Sequence, residues 1–172
     1  FRRVLFRSVS LGGTEDVALT ITEAELLADA SDVDGDTLSV TGLTAAAGTL
    51  VDNLDGTWTL TPAADFNGDI GLSYSMSDGT ETVATTATAS FSAANDAPVV
   101  TLPVSLGGTE DVALTITEAD LLANASDIDG DSLAQVQITG LESFGDLELD
   151  GLAVTLNQVI DVTDISAGKL TF

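Results

Sequence analysis

Ile70-Gly71-Leu72-Ser73-Tyr74-Ser75-Met76-Ser77 alternates a large apolar residue with a small or polar one at every step. A period of two puts Ile70, Leu72, Tyr74 and Met76 on one face of an extended strand. A helix would scatter the four around its axis. The stretch therefore predicts a β-strand with one buried face. Its neighbours extend the pattern. Upstream, Gly48-Thr49-Leu50-Val51, the turn Asn53-Leu54-Asp55-Gly56 and Trp58-Thr59-Leu60-Thr61 read as a hairpin, because Asp-Gly before an alternating run is a strong turn signal. Trp58 and Leu60 share one face; Thr57, Thr59 and Thr61 share the other. Downstream, Ser77-Asp78-Gly79 turns the chain, and a strand from Thr82 to Phe91 puts Val83, Ala87, Ala89 and Phe91 on one face.

Further upstream, Val9-Ser10-Leu11 is a short strand, Gly12 to Asp16 a turn holding two acids, and Ala18 to Ile21 a second strand. Thr22 followed by Glu25 is a capping box, which opens one or two helical turns and docks Leu26 and Leu27 on the core. Another strand runs from Leu38 to Gly42. About seven short strands with this patterning and little helix signal predict a Greek-key β-sandwich, an all-β fold.

The block Val9–Leu38 recurs as Val104–Leu133, displaced by 95 residues, with four close substitutions: Glu25/Asp120, Asp29/Asn124, Val33/Ile128 and Thr37/Ser132. A fixed period is the mark of a tandem array. The expected organisation is an atypical head at 1–8, a first sandwich at 9–94, a linker at 95–98 and a second sandwich at 99–172, incomplete at its C-terminal side. Pro98 makes the linker short and semi-rigid. After Leu133 the second copy diverges, with patchy alternation from Leu141 to Leu170 and a possible helical turn at 161–165. The head Phe1-Arg2-Arg3-Val4-Leu5-Phe6-Arg7-Ser8 is foreign in composition to the rest and is expected not to be native to the repeat.

The net charge is −24. Arg2, Arg3 and Arg7 sit in the head, so beyond it Lys169 is the one base against all 28 acids. Such a surface repels nucleic acid and anionic lipid and attracts cations. An apolar fraction of 44% with regular alternation argues for a folded chain. There is no cysteine or histidine, so neither disulfides, thiolate zinc sites, histidine-based triads nor thiol nucleophiles can form. No apolar run of about 18 residues is present to span a membrane.

The acids concentrate in Asp32-Val33-Asp34-Gly35-Asp36 and its copy Asp127-Ile128-Asp129-Gly130-Asp131. Carboxylates at i, i+2 and i+4 repel one another unless a cation sits among them, and hard oxygen donors at this density suit Ca²⁺. The competing reading is a solvated acidic turn. An EF-hand does not fit: counted from Asp32, Thr37 stands where that loop needs glycine and Leu43 where it needs glutamate. In a sandwich the chain reaches the far end after one strand. Glu15 and Asp16 are therefore expected at the bottom of the first bead, and Asp32, Asp34 and Asp36 at its top. By the same count Asp127, Asp129 and Asp131 are at the top of the second. Glu15, Asn95, Asp96, Asp127 and Asp129 then converge on the junction.

Taken together, Thr14-Glu15-Asp16 with its copy Thr109-Glu110-Asp111, the two Asp clusters, Leu26-Leu27-Ala28, Asp65-Phe66-Asn67-Gly68, Tyr74 to Gly79 and Asn95-Asp96-Ala97-Pro98 resemble the bacterial cadherin-like, or tandem-95, modules of large RTX-type surface adhesins. The resemblance implies tandem cadherin-like sandwiches with Ca²⁺ bound between beads. It implies that Glu15, Asn95, Asp96, Asp127, Asp129 and Asp131 ligate at the central junction. Asp78 would join Asp32, Asp34 and Asp36 at an upstream site lacking its linker, and Glu110 would serve a third bead. The implied role is a calcium-rigidified structural or adhesive segment of a secreted surface protein. Its partners would be neighbouring repeats and possibly other cells, a host surface or a biofilm matrix.

Two other classes compete. A carbohydrate- or protein-ligand-binding module appended to an extracellular enzyme would want exposed aromatics, but Trp58 and Tyr74 fall on predicted core faces. A glycoside-hydrolysing pair of carboxylates is conceivable. The acids lie in repeated turns, however, and an enzyme is not expected.

Overall fold

A computed structural model describes residues 9–141 and 145–172. The head at 1–8, expected to be foreign to the repeat, lies outside the described residues. The chain divides into two units, Phe1–Ala94 and Asn95–Phe172.

Unit 1 contains β1 (Val9–Thr14), β2 (Leu19–Thr22), α1 (Glu23–Leu26), β3 (Ser39–Ala45), β4 (Thr49–Asp52), β5 (Thr57–Thr61), β6 (Gly68–Ser77) and β7 (Thr82–Ser92). One sheet runs β1-β7-β6-β3 and the other β2-β5-β4. β1 lies parallel to β7; the remaining pairs are antiparallel. This is the predicted β-sandwich. Its core draws Ile70, Leu72, Tyr74 and Met76 from β6, Trp58 and Leu60 from β5, and Ala87, Ala89 and Phe91 from β7. Ile21, Leu26 and Leu11 complete it. The alternating faces are thus those that the period of two assigned.

Local chemistry sets the connections. The Thr22 hydroxyl accepts the Glu25 N–H at 3.2 Å while the Glu25 carboxylate takes the Thr22 N–H at 2.8 Å, so α1 starts with both halves of a capping box. The Glu23 carboxylate reaches across to the N–H of Val40 at 2.7 Å and fastens α1 to β3. Tyr74 donates its hydroxyl to the carbonyl of Leu26 at 2.8 Å, which closes the helix onto the opposite sheet.

Two sequence expectations need correction. Gly12 and Gly13 were expected in a turn; instead β1 continues through them to Thr14. Gly13 faces Phe91, and a Cβ there would stand 2.7 Å from its ring, so glycine is the residue that lets the strand pass. Val83 was expected in the core. It is 36% exposed, because that end of β7 runs past the residues that would cover it.

Unit 2 contains β8 (Val99–Val100), α2 (Glu118–Leu122), β9 (Ala125–Ser126), β10 (Gln135–Gln137), β11 (Glu148–Leu149), β12 (Leu152–Ala153), β13 (Val159–Asp161), α3 (Val162–Ser166) and β14 (Leu170–Thr171). Its sheets are small: β12-β11-β14, β10-β13 and β8-β9. Ile116, Val154, Ile160, Ile165 and Leu170 form its core. The helical turn expected at 161–165 is α3. Leu141, Leu152, Leu156 and Val159, read from alternation as strand residues, are exposed. No helix among the described residues is long and apolar enough to cross a membrane.

Candidate metal centre

Glu15 stands one residue beyond β1. Its N–H bonds to the carbonyl of Ser92 at 3.0 Å, carrying the β1–β7 ladder one step further. This fixes the side chain against the start of β6 and the exit of β7. One carboxylate oxygen accepts the backbone N–H of Ala94 at 2.6 Å, and the other accepts Nδ2 of Asn67 at 3.2 Å. Glu15 is 1% exposed. Both of these donors are neutral. Lys169, the one base among the described residues, pairs with Asp164 at 2.6 Å. A buried carboxylate held by neutral donors retains much of its desolvation cost, which a cation would offset. Each oxygen also keeps a second lone pair.

Asp16, the next residue, adopts a left-handed backbone at φ 59° and accepts the N–H of Asp65 at 3.0 Å; Asp65 is left-handed too, at φ 56°. Asn67 and Asp65 were quoted in the sequence only as motif residues, without a role. The signal for one was there in Asp65-Phe66-Asn67-Gly68, but their meeting with Glu15 and Asp16 is made by the fold.

The two Asp clusters form the same loop twice. Asp32 Oδ1 accepts the N–H groups of Asp34 at 2.8 Å and Asp36 at 3.4 Å; Asp127 Oδ1 accepts those of Asp129 at 3.0 Å and Asp131 at 3.3 Å. An aspartate that caps its own loop in this way turns one oxygen inward. Among the described residues, neither run closes by itself into three carboxylates near enough to share one ion.

Within unit 1, Ser39 pairs with Ser77, so the Asp32–Asp36 loop and Asp78 leave the same end of the β3–β6 pair. Asp78 Oδ1 accepts the N–H groups of Thr80 at 2.8 Å and Glu81 at 2.7 Å. Glu15 lies at the other end, beside Asn67 and the first pair of β6, Gly68 with Phe91. The ten residues of β6 separate these ends by about 30 Å.

Within unit 2, Asp129 Oδ2 accepts the N–H of Asp96 at 2.7 Å, and Val99 pairs with Ser126 just before Asp127. Asn95 donates its side-chain amide to the carbonyl of Asp96 at 2.9 Å. The linker's first residues therefore run alongside the acid loop. Glu110, the copy of Glu15, is exposed in a turn closed by the Val112 N–H on the Thr109 carbonyl at 3.2 Å.

The model of the cadherin-like domain matches residues 4–92 and 94–154. Among solved structures, the endo-fucoidan hydrolase MfFcnA4 from glycoside hydrolase family 107 overlaps with a TM-score of 0.39 at 21% identity, and a variant of that enzyme with a TM-score of 0.41 at 21% identity. Each overlap covers 86% of this chain and 22% of the enzyme's, so the chain spans about a fifth of those proteins. No curated protein matches the chain.

Proposed function

The chain belongs to the cadherin-like domain family, and we propose that it is a calcium-stiffened structural or adhesive segment of an extracellular surface protein. The observation that carries this reading is Glu15: a buried carboxylate, without a basic partner among the described residues, that grips the last residue of unit 1. Asp129 grips Asp96, two residues further on. Two residues span at most about 7 Å, so the two carboxylates are fastened at either end of a very short tether. That argument rests on connectivity within each unit and along the chain.

Glu15, Asn95, Asp96, Asp127, Asp129 and Asp131 would hold the ion. Their donors are all oxygens and mostly anionic, a set that fits Ca²⁺. Bound Ca²⁺ supplies positive charge and directional oxygen coordination; without it the acids repel and the linker is free to swing. Asp32, Asp34, Asp36 and Asp78 gather at one end of unit 1 and would contribute to an equivalent upstream site. Glu110 would contribute to a downstream one. The host protein is read as a secreted bacterial adhesin, with neighbouring repeats and other surfaces as partners, and the segment itself as non-enzymatic.

Small-angle scattering and calorimetry of the chain in Ca²⁺, in Mg²⁺ and in chelator test this. Expected are a longer, sharper distance distribution and a higher melting temperature in Ca²⁺, with half-saturation on the order of 10⁻⁴ to 10⁻³ M, as in extracellular modules. Identical profiles in all three conditions reject the reading.

A further inference from the structure

Unit 2 contains Val104-Ser105-Leu106-Gly107-Gly108-Thr109, the same six residues as β1. In unit 1 this hexapeptide is a strand lying parallel to β7, with Val9 opposite Ala87, Leu11 opposite Ala89 and Gly13 opposite Phe91. In unit 2 it belongs to no sheet among the described residues. One sequence in two environments provides an internal control. Leu11 is 8% exposed, whereas Leu106 is 39% exposed. Beside Leu106 lies a groove of about 760 Å³, lined by Gly108, Leu114, Ile116 and Phe172 among others.

The partner that the hexapeptide accepts is visible in unit 1. Gly13 lacks a Cβ where the Phe91 ring sits, at 2.7 Å from where that atom would be. Gly108 presents the same bare backbone, and the nearest atoms to its missing Cβ belong to Leu114, at 3.7 Å. An unpaired edge with β-forming sequence is a template for strand addition. We infer that Val104–Thr109 is a strand-acceptor edge for an extended protein segment of β7 chemistry, bound in parallel register. That segment has small residues opposite Val104 and Leu106 and an aromatic ring over Gly108. The Thr82–Ser92 sequence has no charged residue, so the acidic surface does not repel such a donor. The inference is independent of the calcium reading.

A synthetic peptide of the sequence Thr82–Ser92, titrated into the full chain and followed by amide NMR, tests it. Shifts are expected at Val104–Thr109 and Leu114, together with a rise in the melting temperature of unit 2. A peptide carrying F91A should bind roughly tenfold more weakly or worse, since it loses the buried ring. Gly108→Ala adds a methyl at ordinary contact distance from Leu114, so the chain should fold. It should weaken the Phe91 peptide and leave the F91A peptide unaffected, a pattern that mere loss of structure would not give. The inference is overturned if the peptide causes no shifts at Val104–Thr109 or if a scrambled peptide binds equally. It is also overturned if these resonances respond to protein concentration and not to peptide, which would make the edge an interface between copies.

Discussion

Glu15 accepts the backbone N–H of Ala94 at 2.6 Å across 79 residues of sequence, so the carboxylate that ends the first strand also fixes where unit 1 lets go of the chain. Glu15→Gln keeps an oxygen for Ala94 but removes the charge. If Ca²⁺ is bound there, the variant should lose tenfold or more in Ca²⁺ affinity, about 1.4 kcal/mol. Without Ca²⁺ it should fold as well as the parent or better, since a buried charge is gone. Isothermal titration and melting curves with and without chelator check both halves.

Asp127 and Asp32 do the same local work, each capping its own loop through two N–H groups. Their positions differ. Asp127 precedes Asp129, which holds the linker through Asp96, whereas Asp32 lies at the end of unit 1 away from Glu15. Asp127→Ala should therefore weaken Ca²⁺ binding at the junction about tenfold or more, and Asp32→Ala should leave the tightest site intact. Equal losses in the two titrations would refute the assignment of the central site to Glu15, Asp96 and the second acid loop.

Where a structural feature depends on local pattern, it was legible in the sequence. The faces of β6, the Asp55-Gly56 hairpin and the Thr22/Glu25 capping box rest on period, turn chemistry and spacing. The acid loops were legible for the same reason. Pairings between distant strands left no such trace. Nothing local in Gly12-Gly13 says that Phe91 will fill the space beside them, so a strand was read as a turn. Val83 has the parity of Ala87, Ala89 and Phe91, yet parity does not say where the covering layer stops. Nor does the sequence of Val104–Thr109 distinguish it from β1; the difference is whether a partner strand lies beside it. Asn67 escaped assignment because its role is set by Glu15, 52 residues earlier.

Because Gly13 and Gly108 are the same repeat position in two environments, they make a matched pair. Gly13→Ala puts a methyl into the Phe91 ring, with the neighbouring ring atom also within 2.9 Å, and Phe91 is itself buried. Overpacking of this kind costs about 1–3 kcal/mol. Gly108→Ala meets nothing nearer than 3.7 Å and should change stability by less than about 0.5 kcal/mol. Chemical denaturation followed by the fluorescence of Trp58, the single tryptophan, reports on unit 1; amide NMR reports on unit 2.

Tyr74 joins the two sheets of unit 1 through its hydroxyl on Leu26, and Tyr74→Phe leaves that carbonyl without its donor. The expected loss is about 1–3 kcal/mol, with the fold retained. Burial also pushes the Tyr74 phenol above its ordinary value. A group whose folded value is raised stabilises fully below the unfolded value and loses that contribution as pH rises through the folded one. Alkaline unfolding should therefore begin above the usual tyrosine range and be shallower in the Phe variant, as seen by spectrophotometric titration.

Asp120 stands where the first repeat has Glu25, one methylene shorter, and still closes a capping box: Thr117 gives it both its hydroxyl at 2.6 Å and its N–H at 2.9 Å. The hydroxyl bond, then the backbone bond, hold the Asp120 carboxyl below its usual value. A depressed folded value means that the box is intact above the ordinary aspartate range and fails as pH falls through the lower, folded value. Acidification should thus release α2 only at the bottom of the carboxylate range. The amide shifts of Thr117 and Asp120 should report that step. Asp120→Asn can still accept from Thr117 but does not titrate, so its α2 signals should stay flat through the same window; if they move as the parent's do, another group controls the helix end.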